Sequence, residues 1–256
     1  MRDPGSTGVV ITMAGAGSRF TAAGYTIPKY EIVARGRTLF AWSMESLRSF
    51  IDAGCEFFFV ARNHPNIAAF LQKETRDLGI RNHHLITVNA LTDGQATTAL
   101  LASREWEDDS RPVAIYNIDT YVDPAAMDVK DVRGAGWLPC FPGEGDKWSF
   151  AAADENGLVS EVREKKRISQ HATVGLYWFD SFQRYADAYQ RYYANPVNLE
   201  AKERYIAPLY NQLIQDGADV FVQRVGADQV FPLGTPEDVD FFRQREIPAL
   251  VRTGAI

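Results

Sequence analysis

Four short, almost uninterrupted apolar runs alternate with helical patterns in the first half of the chain, and this order limits the fold more than any other feature. Near-continuous apolar runs are typical of strands that are buried on both faces. The four runs are VVITMA from Val9, EFFFVA from Glu56, HLITVNA from His84 and PVAIYNID from Pro112. The alternation predicts an α/β fold with a mainly parallel, doubly wound sheet.

The pattern changes after about residue 120. Two strand-like arms flank the sequence DENG, where Asn156-Gly157 predicts an inserted β-hairpin because both residues tolerate a positive φ. Two helices are predicted at about 181–194 and 203–215, and Thr235 suits the N-cap of a last helix. No repeat, low-complexity tract or linker interrupts the chain, so we expect one domain over residues 1–256.

Composition and charge exclude several classes of partner. The 256 residues carry a net charge of −6, so a bulk basic field for nucleic acid is absent and any anion site must be local. No apolar run approaches the roughly 18–20 residues of a membrane span, and the polar N-terminus lacks the apolar stretch of a signal peptide. Cys55 and Cys140 form no metal-ligand spacing and fit a reducing compartment. We therefore expect a soluble, cytoplasmic protein that binds neither nucleic acid nor membrane.

The segment MAGAGSRFTAAGYTIPKY, residues 13–30, connects the first predicted strand to a helix. It does not fit the dinucleotide fingerprint, because Phe20 replaces the third glycine, and it holds no Gly-Lys pair for a P-loop. Its glycines let backbone N–H groups approach an anion, Arg19 can clamp phosphate oxygens, and Lys29 adds a compact charge. This combination suits a polyphosphate and a departing pyrophosphate. The alternative is a glycine-rich turn with two solvated cations.

The segment resembles the signature loop of the nucleotidyltransferases that make sugar nucleotides, the pyrophosphorylases, whose pattern is roughly G-x-G-[ST]-R-[LFM] followed further on by P-K. The resemblance covers most of the chain and favours the short, single-domain members found in capsule and surface-polysaccharide gene sets. It implies a Rossmann-like, GT-A-like fold with a nucleotide-binding half to about residue 120 and an acceptor-binding half from about 121 to 256. It also implies catalytic roles for Arg19 and Lys29 and nucleotide binding by Ala14, Gly15, Gly17 and Ser18.

Two more segments resemble landmarks of the family's nucleotide site. In TDGQATTALL, Gly94 and Gln95 match the base-recognition positions, and an amide suits a base edge because it both donates and accepts. Otherwise Gln95 only opens a helix whose N-cap is Asp93. In AIYNIDTYVD, Asp119 matches the metal-holding aspartate, which implies Mg²⁺ as cofactor; the alternative is a turn-capping role. Asp123 is expected to be a solvated turn residue.

The second half carries segments that resemble the family's acceptor site. VSEVREKKRIS is similar to V-x-x-[FI]-x-E-K-P, so Glu164 and Lys165 are implied to bind the acceptor, with Lys165 holding its phosphate as a catalytic cation. Lys166 stands where the family often has proline, so the two lysines can exchange roles or form a solvated basic face. In ATVGLYWF, Gly175 is implied to approach the acceptor and Tyr177 to pack.

The closing segment VFPLGTPEDVDFF departs from the family pattern W-x-D-x-G-T-P-E-x-[LV]. The family's second metal aspartate falls at Pro232, which cannot bind a metal ion. Asp228 replaces it if the loop folds back; otherwise Mg²⁺ depends on Asp119 and the triphosphate.

The resemblance implies an enzyme that joins the nucleoside monophosphate of an NTP to a sugar 1-phosphate or another small phosphorylated acceptor and releases pyrophosphate. CTP, UTP and dTTP are the favoured nucleotides. The alternatives are a cytidylyltransferase acting on a non-sugar phosphate, a GT-A glycosyltransferase, and a non-catalytic nucleotide-binding regulator. The glycosyltransferase would want a D-x-D where residues 117–119 read N-I-D, and Pro232 is the argument for the regulator. The base, the acceptor and the oligomeric state stay open, although relatives are often homo-oligomers.

Overall fold

The computed structural model describes residues 3–199, 203–245 and 247, which form one large sheet, two small sheets and the helices around them. The strands are β1 Gly8–Met13, β2 Val33–Ala34, β3 Arg37–Thr38, β4 Glu56–Arg62, β5 His83–Val88, β6 Val113–Asn117, β7 Thr120–Val122, β8 Gly136–Pro142, β9 Ser149–Ala153, β10 Val159–Glu164, β11 His171–Thr173, β12 Leu176–Phe179, β13 Val220–Arg224 and β14 Val230–Pro232. The α-helices are α1 Ser18–Ala22, α2 Leu39–Glu45, α3 Arg48–Asp52, α4 Ile67–Leu78, α5 Gln95–Leu100, α6 Phe182–Tyr193, α7 Tyr210–Gln215 and α8 Pro236–Gln244. In the described ranges no helix is long and apolar enough to cross a membrane.

The large sheet has ten strands in the order β10-β9-β11-β8-β12-β6-β1-β4-β5, and β13 pairs with β8 outside this path. The neighbours β5, β4, β1 and β6 are parallel. The remaining pairings set β10, β11 and β12 against the direction of the other strands. The predicted α/β class with a mostly parallel, doubly wound sheet is therefore confirmed, and the antiparallel pairs lie on the side that the second half of the chain adds.

Both faces of the parallel strands are covered, as their continuous apolar sequence predicts. In β1, Val9 and Ile11 belong to one core, whereas Val10 between them belongs to the core on the opposite face. All three side chains are fully buried. With both faces packed, the free carboxyl edge of these strands is the place where the fold can hold a ligand.

A third, smaller core fastens the loop after β1 to the end of the chain. It gathers large aromatic side chains from α1, α2, β7, β14 and α8, namely Phe20, Trp42, Tyr121, Phe231 and Phe242. The antiparallel pairing of β7 with β14 lies in the same region. The late segment from β14 to α8 is thereby held beside the loop that follows the first strand.

Three helix starts have side-chain N-caps, and the cap predicted at Thr235 is one of them. Thr38 caps α2, Ser181 caps α6 and Thr235 caps α8, each by accepting a hydrogen bond from a backbone N–H group of the first turn, at 3.0 to 3.1 Å. The hairpin between β9 and β10 is also present. In its turn only Gly157 has a positive φ, of 82°, because the Gly157 N–H donates to the Asp154 carbonyl and closes a longer loop that needs one left-handed residue.

Two sequence predictions were wrong. The helix predicted over 203–215 begins later, with a short 3₁₀ turn at Ala207–Leu209 followed by α7. Pro208 lies in that turn, and proline is tolerated only at the start of a helix. Asp123 is only 5% exposed and accepts a hydrogen bond from the Ala125 N–H at 3.0 Å, so it is a buried turn residue and not a solvated one.

Candidate active site

Two adjoining cavities open at the carboxyl edge of β1 and β6. The loop cavity, of about 340 Å³, is bordered by residues 12–16, by Lys29 and by the turn around Gly94. The hairpin cavity, of about 240 Å³, lies beside the strand ends of β9, β10 and β11. Gln95, Asn117 and Asp119 border both cavities, so these three residues form the boundary between them.

Lys29 and Asp119 form an ion pair at this shared border. The Lys29 Nζ lies 2.9 Å from Asp119 Oδ2, and their side chains are 18% and 33% exposed. Pro28 leads into a 3₁₀ turn that begins at Lys29, and Asp119 follows β6 directly. The Leu233 N–H donates to the Asp119 carbonyl at 2.8 Å, which fixes the aspartate backbone. The structure therefore joins two residues that the sequence places in separate motifs.

The loop after β1 supplies open backbone and one more cation. Gly17 precedes α1 with a φ of 63°, a left-handed value that favours glycine. No heavy atom lies within 4 Å of the place where a Gly15 Cβ would stand, so an anion can approach that backbone. Ala14 is buried at the end of β1 and borders the loop cavity. Ser18 opens α1 and is exposed, and Arg19 borders the hairpin cavity.

The Gln95 side chain lies between the two cavities. Its Nε2 donates to Asn117 Oδ1 and to Thr12 Oγ1, the latter at 3.2 Å. The N-cap of α5 is Gly94, whereas the Asp93 carboxylate accepts a hydrogen bond from the Thr97 hydroxyl. This arrangement places the Gln95 amide at the centre of the site, next to Asn117, a residue that sequence reasoning had not singled out.

Gly175 is required for the position of Asn117. Its φ is 91°, and a Cβ there would lie 2.7 Å from Asn117 Nδ2. The Asn117 N–H also donates to the Gly175 carbonyl at 3.1 Å. Gly175 borders the hairpin cavity, as the motif implies, and its lack of a side chain leaves room for the Asn117 amide.

A buried carboxylate lies at the wall of the hairpin cavity. Glu164 is 7% exposed and accepts a hydrogen bond from the Ser149 hydroxyl. Tyr177 is buried, as predicted, and shares a hydrogen bond of 3.1 Å with Thr173. Burial raises the pKa of Tyr177 and the nearby Glu164 charge raises it further, so this phenol stays protonated. Trp148 borders the same cavity.

Lys165 directly follows strand β10 and has a left-handed backbone conformation. Its φ is 48°, a value that costs a non-glycine residue about 1 kcal/mol. Its N–H donates to the Trp148 carbonyl at 2.9 Å, and its Nζ lies 2.5 Å from the Tyr205 hydroxyl oxygen. Tyr205 borders the hairpin cavity. Lys166 is exposed.

Residues 203–206 cross over the Gly94 turn, and we call this segment the strap. The Arg204 N–H donates to the Asp93 carbonyl at 2.8 Å, and the Arg204 carbonyl accepts from the Ala96 N–H at 3.0 Å. The Arg204 guanidinium donates to the Tyr189 hydroxyl at 2.5 Å. Sequence reasoning missed the strap because it assigned these residues to a helix.

Asp228 is not brought to Asp119. In the pairing of β14 with β7, Pro232 lies opposite Thr120 and Val230 opposite Val122. Asp228 precedes β14 and therefore lies beyond the far end of this small sheet, roughly 15 Å from Asp119 at about 3.3 Å per residue. A metal ion held by Asp119 is out of reach of Asp228.

The Asp119 carboxylate has the donor chemistry that Mg²⁺ prefers. Mg²⁺ takes one or two protein carboxylates when phosphate oxygens and water complete its shell, so the single carboxylate of Asp119 fits this ion where a phosphate ligand supplies the other oxygens. Throughout the described ranges no group of three or more His, Cys, Asp or Glu residues is arranged to hold a metal ion.

Comparisons with known proteins agree with the fold. No protein-family model and no curated protein matches the sequence. Among solved structures, the nucleoside-diphosphate-sugar pyrophosphorylase from Vibrio cholerae RC9 is 35% identical, covers 93% of this chain and 100% of its own, and superposes with a TM-score of 0.86. The inositol-1-phosphate CTP transferase from T. maritima is 16% identical over 90% of both chains, with a TM-score of 0.69. The CTP:phosphocholine cytidylyltransferase from Streptococcus pneumoniae is 14% identical over 93% of this chain and 98% of its own, with a TM-score of 0.69. The last two share the fold with this chain.

Proposed function

This chain belongs to the nucleotidyltransferase family of the nucleoside-diphosphate-sugar pyrophosphorylases, and on that premise we propose that it transfers a nucleoside monophosphate from an NTP to a sugar 1-phosphate or another small phosphorylated acceptor. One observation carries the proposal. Lys29 and Asp119 pair at 2.9 Å on the border of two cavities that together can hold a nucleotide and an acceptor. Such a border is where the α-phosphate of the nucleotide would face the attacking group.

The loop cavity is the proposed place of the NTP. The open backbone at Gly15 and the Lys29 ammonium suit its phosphates, because N–H groups and a compact cation both favour negative charge. The Gly94 turn at the other side of the cavity is the proposed place of the base. CTP, UTP and dTTP are the proposed nucleotides.

In the proposed reaction, an oxygen of the acceptor phosphate attacks the α-phosphorus in line, a new P–O bond forms, and the bond to the bridging oxygen of pyrophosphate breaks. Lys29 and Arg19 neutralise the charge on the departing pyrophosphate, and Lys165 orients the acceptor phosphate. Asp119 would hold Mg²⁺, which when bound supplies charge neutralisation on the phosphate oxygens. The protein does little covalent work, since positioning and electrostatics dominate phosphoryl and nucleotidyl transfer.

The hairpin cavity also supports a second candidate, a cytidylyltransferase that acts on a non-sugar phosphate. Trp148, Tyr205 and the buried Glu164 all border this cavity. Aromatic faces together with a carboxylate suit a cationic head group as well as the apolar face and hydroxyls of a sugar. Choline phosphate and inositol phosphate are the acceptors named for two proteins that share this fold.

Pyrophosphate release tests the proposal and separates the two candidates. The purified chain with Mg²⁺ would be mixed with CTP, UTP, dTTP, GTP or ATP, each crossed with glucose 1-phosphate, other sugar 1-phosphates, inositol 1-phosphate and phosphocholine. Release with a sugar 1-phosphate supports the first candidate, and release with CTP and a non-sugar phosphate supports the second. Nucleotide binding by calorimetry without release from any pair would favour a nucleotide-binding regulator.

Replacing each of the two neighbouring lysines by alanine identifies the one that binds the acceptor phosphate. Lys165→Ala should raise the KM for the acceptor about tenfold, because a charge-assisted hydrogen bond of about 1.5 kcal/mol to the acceptor phosphate is lost. Lys166→Ala is the matched control and should change that KM little: both lysines are exposed, but it is Lys165 whose Nζ contacts Tyr205 at the wall of the hairpin cavity. Steady-state kinetics at saturating NTP checks this. The reverse pattern would assign the acceptor phosphate to Lys166.

Metal dependence should require Asp119 but not Asp228. Chelation of Mg²⁺ with EDTA should lower the rate at least about a hundredfold, because the charge neutralisation it supplies is lost. Asp228→Asn should leave the Mg²⁺ concentration for half-maximal rate unchanged, since Asp228 lies beyond the far end of β14. A Mg²⁺ titration of the two proteins measures this. A clear rise in the Mg²⁺ requirement of Asp228→Asn would show that the β14 segment moves when ligands bind.

A further inference from the structure

A continuous chain of hydrogen bonds links the predicted acceptor lysine to the strap. The Lys165 Nζ donates to the Tyr205 hydroxyl oxygen at 2.5 Å, and the Tyr205 hydroxyl donates to a carboxylate oxygen of Glu203. The polarity of this chain is fixed, because an ammonium only donates and a carboxylate only accepts. The Lys165 ammonium also lies 4.4 Å from the centre of the Tyr205 ring, so the same residue holds it by its hydroxyl and by its face.

The conformation of the strap directs the side chains of Glu203 and Tyr205 towards the two cavities. Side chains two residues apart on an extended segment share a face, which brings Glu203 and Tyr205 together. Arg204 points the other way and is anchored by the Tyr189 hydroxyl and by the Asp93 carboxylate, the latter at 3.2 Å. Glu203 borders the loop cavity and Tyr205 borders the hairpin cavity. The chain of hydrogen bonds therefore runs along the wall of both cavities.

The backbone conformation of Lys165 explains how its side chain reaches the Tyr205 hydroxyl. Glu164 is buried at the wall of the hairpin cavity, so a continued strand would turn Lys165 to the opposite face. The left-handed φ of 48° ends the alternation and brings Lys165 to Tyr205 instead. A non-glycine residue keeps such a conformation only where its surroundings enforce it, which is common at functional sites.

We propose that Tyr205, which borders the hairpin cavity, is a positioning residue that holds the Lys165 ammonium, and that Glu203 orients the Tyr205 hydroxyl for this task. The inference rests on the proposed function, in which Lys165 meets the acceptor phosphate. Glu203 keeps the Tyr205 proton on the side away from Lys165, so the hydroxyl lone pair faces the ammonium. Neither Tyr205 nor Glu203 touches the reacting atoms in this role.

The test is a double-mutant cycle on Lys165 and Tyr205, and its readout is pyrophosphate release. The substrates are CTP or UTP with glucose 1-phosphate, inositol 1-phosphate or phosphocholine. The combination that the wild type turns over fastest is used for all variants. Tyr205→Phe should raise the KM for the acceptor about tenfold and leave the KM for the NTP unchanged, because it removes a charge-assisted hydrogen bond. In the Lys165→Ala background the same change should have almost no further effect. Glu203→Ala should raise the acceptor KM as well, and Glu203→Gln should restore it because the amide oxygen still accepts from Tyr205.

Tyr193→Phe is the matched control. The Tyr193 hydroxyl donates to the Tyr205 carbonyl at 2.6 Å, so this variant removes a hydroxyl that holds the same strap but does not touch Lys165. It should leave the acceptor KM close to that of the wild type. Additive effects of Tyr205→Phe and Lys165→Ala on the acceptor KM would overturn the positioning role, and so would an equal rise of that KM in Tyr193→Phe. In either case turnover by the wild type would still support the proposed function. Absence of pyrophosphate release by the wild type with all pairs would instead overturn the proposed function itself.

Discussion

Replacement of Lys29 by alanine should lower kcat about a thousandfold and leave the protein folded. Lys29 is the cation paired with Asp119 at the border of both cavities, where negative charge develops on the departing pyrophosphate. A single preorganised donor or cation at such a position is worth about 10²–10³ in rate, and a cation on a transferring phosphoryl group about 10³–10⁵. Steady-state pyrophosphate release at saturating substrates measures the loss. Lys29→Arg should recover only part of it, because the planar guanidinium does not reproduce the compact ammonium.

Two controls separate this loss from an effect on folding. The Lys29–Asp119 pair is partly exposed, so its loss should change the free energy of unfolding by no more than about 1 kcal/mol, which a thermal melt can confirm. Lys130→Ala removes an exposed lysine from a short 3₁₀ turn elsewhere and should keep full activity. A Lys29→Ala protein that turns over within a few-fold of the wild type would remove Lys29 from the chemistry.

The position of the loop cavity could be predicted, because it follows from the topology of the parallel strands. Lys29 lies in the segment after β1, and Asp119 directly follows β6. The carboxyl ends of these neighbouring parallel strands lie at the same edge of the sheet, whatever the connecting helices do. The register of β1 with β6 pairs Thr12 with Asn117, so the segments that follow both strands open at one edge. The topology therefore predicts which edge of the sheet holds the loop cavity, whereas the roles of Lys29 and Asp119 are implied by the resemblance to the pyrophosphorylases.

The hairpin cavity depends on features that local patterns do not report. Contacts with Trp148 and Tyr205 hold Lys165 in its left-handed backbone conformation. Both residues are far from Lys165 in the sequence, so the local pattern around Lys165 does not report them. The strap lies inside the helix predicted over 203–215, but Pro208 fits only the start of a helix, and α7 begins after it. Helix propensity was weaker here than the hydrogen bonds that Arg204 makes to the Gly94 turn.

The departure at Pro232 has a structural counterpart. Pro232 ends β14 opposite Thr120, and a proline is tolerated there because the strand belongs to a two-stranded sheet and has a free edge. The position still borders the hairpin cavity beside Gly234. A side chain that cannot bind metal thus occupies the wall of the site next to Asp119, which leaves that aspartate as the proposed protein ligand of Mg²⁺.

Gly94→Ala should distort both cavities. Gly94 has a φ of 147°, a value that residues with a side chain rarely adopt, and a Cβ there would lie 2.4 Å from the backbone N and O of Arg204. Backbone cannot yield as a flexible side chain can, so the strap must move away from the turn. We expect a loss of about 3 kcal/mol in the free energy of unfolding, which lowers Tm by roughly 6–12 °C.

The displaced strap also predicts a kinetic effect. Glu203 and Tyr205 would leave the walls of the two cavities, so the KM values for the NTP and for the acceptor should both rise in Gly94→Ala. Gly79→Ala is the matched control, because Gly79 has a left-handed φ of 79° after α4 but no heavy atom within 4 Å of a would-be Cβ. It should cost only the conformational term of about 1 kcal/mol and keep normal kinetics. Equal melting temperatures and equal KM values for the two variants would mean that the strap does not depend on the space that Gly94 leaves open.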